Sequence, residues 1–129
     1  MKIAICFAGL LRNFENIYPY IKKNILDPNQ EHDISIFACT SEYSNKMNRF
    51  ELKNHQVLKK DNIETTLKKK FGKLLKKYSI VKDQKILQQI NKKHSKRNDK
   101  TQSRFNKIYQ VLKLKQEYEV ENNIIFDLV

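Results

Sequence analysis

The chain has 129 residues, of which 40% are apolar and 31% charged, and its net charge is +12. That length allows one domain with a hydrophobic core, and the apolar residues gather in periodic segments, which excludes a disordered chain. No stretch is long enough to span a membrane, and Cys6 and Cys39 are too few and too far apart for a zinc site or a disulfide framework, so the sequence reads as cytoplasmic with buried thiols.

Residues 3 to 8 form a nearly continuous apolar run, the pattern of a strand buried on both faces of a parallel sheet. The run imitates a signal peptide, but Arg12, Asn13 and Glu15 interrupt it without a small-residue cleavage site. Gly9 suits the turn from this strand to a helix, because it adopts backbone angles closed to other residues. Ligands of open α/β sheets bind at the carboxyl ends of the strands, so an active site is expected around Ala8 to Asn13. Asn13 or Asn16 can cap a helix running from about Asn16 to Leu26, with Pro19 in its first turn. Asp27 to Gln30 reads as a turn, and Asp33 to Thr40 as a second strand. A right-handed crossover lays this strand parallel to the first and puts Thr40, Ser41 and Glu42 at the same edge as Gly9.

Residues 41 to 61 read as a long, polar connection, the kind of loop that often carries function. A helix follows, with Ile63, Leu67, Phe71, Leu74, Leu75 and Tyr78 on one face and Lys68, Lys69, Lys70, Lys73, Lys76 and Lys77 around the rest. Residues 46 to 115 hold 22 of the 26 Lys and Arg and carry a local net charge of +17. Such a field attracts phosphates, nucleic acid or an anionic membrane surface, and equally describes a solvated lysine face. Tyr78 to Val81 reads as a third strand, Lys85 to Ile90 as a helical turn, and residues 91 to 104 as a mobile basic linker. From about Thr101 a long helix carries Phe105, Ile108, Val111 and Leu112 on its apolar side and stops near Asn122 and Asn123. Ile124 to Val129 reads as a fourth strand.

No catalytic constellation is visible. His32, His55 and His94 lack metal-ligand spacing, no Ser or Cys occupies a nucleophile elbow, and Gly9 alone is neither a Walker loop nor a dinucleotide fingerprint. Asp33 and Asp127 sit in strands, where salt-bridged structural roles are expected. The elements together predict a single α/β domain over residues 1–129, with a mostly parallel open sheet of about four strands and flanking helices.

The opening Lys2 to Arg12, the segment Ile25 to Asp33 with the strand to Phe37, and the ending Tyr109 to Val129 resemble a glycosyltransferase family of giant viruses, bacteriophages and some bacteria. In that family the first strand reaches a Ser-Gly-Gln-Leu-Arg turn. Here Ala8 and Leu10 replace its two polar residues, while Gly9, Leu11 and Arg12 match. The resemblance implies a Rossmann-like, glycosyltransferase A-like fold and a sugar nucleotide as ligand. Gly9 and Arg12 would approach its diphosphate, Thr40 would flank the nucleotide, and Ala8 and Leu10 would complete the turn. Arginine suits this role because its planar fork pairs with phosphate bidentately; pairing of Arg12 with Glu15 at a helix start is the alternative.

In the family the last strand runs into an Arg-x-Arg-x-Asp segment absent here. The resemblance therefore implies a truncated, amino-terminal nucleotide-side half with no catalytic residue, no cofactor of its own and no activity alone, a divalent metal belonging to a longer form. It also implies host cytoplasm or a virion as the location. The competing expectation is a basic nucleic-acid-binding module using residues 59–107.

Overall fold

The structure is a computed structural model that describes residues 1–9, 11, 13–41, 43–44, 56–57, 60–81 and 99–129. Three parallel strands form an open sheet. Strand β1 (Lys2–Ala8) and strand β5 (Leu75–Val81) flank β2 (Asp33–Ser41) on its two sides. The β1 register runs from Lys2 opposite Asp33 to Ala8 opposite Cys39, and β5 reaches Val81 opposite Ser41. Between Ile36 and Phe37 the β2–β5 register shifts. Two short strands, β3 (Tyr43–Ser44) and β4 (Gln56–Val57), form a separate antiparallel pair within what the sequence presents as one unstructured connection.

Side-chain alternation along β2 divides the core into two layers. Ile34, Ile36 and Ala38 pack with helices α1 (Phe14–Ile21) and α2 (Lys60–Phe71). Phe37 and Cys39 pack on the other face with helix α3 (Asp99–Asn122). Phe71 anchors the first layer: Phe7 stacks on its ring at 5.3 Å, and Phe14 and Tyr18 meet it edge-on at 5.6 and 5.8 Å. The Tyr18 hydroxyl donates to the Lys70 carbonyl at 2.7 Å, which ties α1 to the end of α2. In the second layer the fully buried Phe37 ring lies between Tyr118 and Phe126, at 5.5 and 5.7 Å.

Several expectations need correction. About four strands were expected in the main sheet and, among the described residues, three are present; Ile124–Val129 contributes one parallel bridge, Leu128 beside Ile3. Four hydrogen bonds hold it there, the longest from Leu128 N–H to the Lys2 carbonyl at 3.4 Å. Ala4 N–H donates to the Leu128 carbonyl at 2.8 Å, Asp127 N–H to the Lys2 carbonyl at 2.8 Å, and Lys2 N–H to the Asp127 carboxylate at 2.7 Å. The Asp127 carboxylate thus accepts from a backbone N–H at the start of β1, where a salt bridge within a strand was expected.

The helix starting at Phe14 passes through Pro19 and then widens into a π turn over Lys22–Leu26. Proline withdraws one backbone donor inside the helix, and the hydrophobic period carries no mark of the wider turn. Helix α2 ends at Phe71 rather than Tyr78, because Gly72 has φ 52° and a short 3-10 turn leads directly into β5. Leu75 and Tyr78 therefore pack from a strand. Helix α3 begins at Asp99, inside the expected linker, and stops at Asn123 with φ 50°. Its buried side is also different: Lys107 and Val111 are buried, while Phe105, Ile108 and Leu112 face outward. The expected turn at Lys85 to Ile90 and the basic stretch at 91–98 lie outside the described residues.

Candidate functional site

The carboxyl ends of β1 and β2 bring Ala8, Gly9 and Thr40 to one edge. Ala8 is exposed and in register with Cys39, and Gly9 N–H continues the ladder by donating to the Cys39 carbonyl at 3.0 Å. Gly9 has φ 141°, a backbone state that disfavours any residue with a Cβ. A Cβ there would meet no atom within 4 Å, so the backbone angle, and not crowding, is what calls for glycine. Leu10 and Arg12, the other two expected ligand residues, lie outside the described residues. Leu11, between them, packs against the layer formed by α1 and α2.

Thr40 lies opposite the chain entering this turn. It is 2% exposed, and its Oγ1 has no hydrogen-bond partner among the described residues. A buried hydroxyl without a partner costs about 1–3 kcal/mol, so in a well-formed strand it stands out. By alternation with Ile36 and Ala38, its side chain lies on the face that carries α1 and α2. Ser41 is equally buried and belongs to the opposite face.

Helix α1 starts on the same face as Thr40. Asn13, its N-cap residue, has φ 51° and makes no side-chain cap, because its Oδ1 accepts from Asn16 Nδ2 at 2.6 Å. The first turn of α1 therefore keeps backbone donors without a side-chain cap, at the positive end of the helix dipole. Glu15 in that turn is held by Lys70 at 2.8 Å. The sequence pointed to Asn13 as a capping residue; its left-handed backbone and its contact with Asn16 have no signature in the residue pattern.

The Thr40 hydroxyl and the first-turn amides of α1 are the donors this edge holds for an anionic oxygen; Gly9, whose own N–H is taken up by the Cys39 carbonyl, supplies the turn. They contain no acid–base pair. The nearest titratable side chain on β1, Cys6, faces α3, and burial pushes its thiol pKa up, away from a reactive thiolate. Nor do the residues fit a resident divalent metal. Among the described residues no three His, Cys, Asp or Glu side chains are grouped to hold one, and Asp127, Glu15 and Glu119 each already have partners.

A concavity of about 260 Å³ lies away from these residues, at the amino-terminal edge of the sheet, lined by Tyr18, Lys22, Leu26, Asp27, His32 and Leu74. There Lys22 pairs with Asp27 at 3.3 Å. No helix among the described residues is long and apolar enough to cross a membrane. Comparison with protein-family models, curated proteins and solved structures finds no match.

Proposed function

We propose that the chain is a nucleotide-binding α/β unit like the amino-terminal half of a sugar-nucleotide-dependent glycosyltransferase. The observation that carries this reading is the orphaned, buried Thr40 hydroxyl beside the Gly9 turn. A ligand oxygen would satisfy it, which gives a reason for keeping a costly group there. Sheet order adds support: Leu128 bridges β1 on the side away from β2, so strand order begins to reverse at β1, where open α/β sheets bind ligands. On this reading the fold is Rossmann-like and glycosyltransferase A-like, with the 124–129 segment as its fourth strand. The first-turn donors of α1, with Arg12, receive the diphosphate where the Gly9 turn lets it approach, and Thr40 flanks the nucleotide. Ala8 and Leu10 shape the turn.

The nucleic-acid reading draws on the lysine face of residues 59–107, where several cations already have partners within the fold. Lys70 pairs with Glu15, Lys77 pairs with Glu117 and Glu121 at 3.7 and 2.7 Å, and Lys68 lies over the Tyr78 ring at 5.7 Å. Titrating UDP-glucose, GDP-mannose and a DNA duplex at several salt concentrations separates the two readings. The proposal expects nucleotide-sugar binding that Arg12→Ala weakens. Steeply salt-dependent duplex binding without nucleotide binding would overturn it, since contacts to many phosphates release counterions.

A further inference from the structure

Of the apolar side expected for α3, Val111 is buried while Phe105, Ile108 and Leu112 are turned outward. Phe105 and Tyr109 are 66% and 63% exposed, and Ile108 and Leu112 are each 44% exposed. Their spacing of three, four and seven residues makes one continuous stripe along two turns. Lys107, Val111, Leu114 and Tyr118 take the sheet-facing side. Isolated exposed apolar residues are ordinary, but a contiguous stripe on an otherwise highly charged chain marks an interaction surface.

Charge identifies the occupant. Exposed Arg104 and Lys113 lie at the two ends of the stripe. The sequence entering it, residues 91–104, carries six Lys or Arg against one Asp. Farther along α3 the acidic groups are matched within the fold: Glu119 by Lys115 at 2.9 Å, and Glu117 and Glu121 by Lys77. An aromatic and aliphatic stripe with exposed Arg104 and Lys113 at its ends is the two-part pattern of interfacial binding. The apolar side chains enter the headgroup boundary while the cations meet anionic lipid. Nucleic acid would use the cations but gain little from Ile108 and Leu112. A second copy would bring a like-charged tract against this one. The stripe also spans only about 10 Å of helix, small beside the roughly 800 Å² per partner of a stable dimer. We infer that the outward face of α3 docks the protein on an anionic membrane surface.

The test is co-sedimentation of the full chain with phosphatidylcholine vesicles, with and without phosphatidylserine. Binding to the anionic vesicles only is expected, and Phe105→Ser/Leu112→Ser should lower the partition coefficient by about tenfold. Both positions are exposed, so thermal unfolding should be unchanged and serves as the folding control. Absence of binding to anionic vesicles, or undiminished binding by the double variant, overturns the inference. It is equally overturned if the wild type forms a dimer that the double variant loses, or if duplex binding shows the same dependence on the stripe. None of these outcomes depends on nucleotide binding at the other edge.

Discussion

If Thr40 serves the proposed nucleotide site, binding and stability oppose each other there. Replacing it by valine keeps the shape and removes a buried hydroxyl without a partner. Thr40→Val should therefore raise stability by about 1 kcal/mol, or roughly 3 °C in Tm, measured by calorimetry without ligand. Gains in stability that cost function are typical of sites that keep unfavourable groups for a ligand. Glu119 acts in the opposite sense. Its carboxylate accepts from Lys115 Nζ at 2.9 Å and from Phe126 N–H at 3.1 Å, and the Lys115 bond leads in holding its pKa below the ordinary 4.5. A depressed carboxylate pKa stabilises the fold above its unfolded-state value, and the contribution is lost as pH falls through the folded value. Glu119→Gln should cost about 1 kcal/mol at neutral pH. The gap between wild type and variant in urea midpoint should shrink at pH values below 4.5.

At the scale of elements, the sheet-facing and outward sides of α3 make opposite demands on aromatic residues of similar size. Phe37 is fully buried between Tyr118 and Phe126, so Phe37→Ala should cost about 3–5 kcal/mol. Phe105 is exposed on α3, and Phe105→Ala should stay within about 0.5 kcal/mol of wild type. Denaturant unfolding of both variants checks which face of α3 meets the sheet.

This contrast also shows what the residue pattern can reveal. Strands β1 and β2 were legible because a strand covered on both faces reads as an uninterrupted apolar run. Helix α3 was legible as a helix but not in orientation, since Lys107 takes a buried position that the apolar period assigns to a hydrophobe. The boundary between α2 and β5 was missed because apolar spacing continues across Gly72, while a single left-handed glycine ends the helix. At the candidate site, Gly9 announced its turn, and strand length placed Thr40 at the same edge. The missing partner of Thr40 Oγ1 depends on tertiary neighbours and leaves no trace in sequence.

Across the whole molecule, two surfaces carry different chemistry. The carboxyl edge of the sheet holds a turn, a buried hydroxyl and the uncapped start of a helix, whereas the sequence gathers its basic residues at 46–115. The fold joins them through β2, which pairs with both other strands of the main sheet. The most direct test of the small-ligand site is a nitrogen-15 correlation spectrum of the chain titrated with UDP-glucose. The expected result is a set of shifts centred on the amides of Gly9, Phe14, Glu15 and Thr40, greatly reduced in Thr40→Val. Shifts confined to the Asp27 and His32 concavity, or none at saturating ligand, would contradict a nucleotide site at the carboxyl ends of the strands.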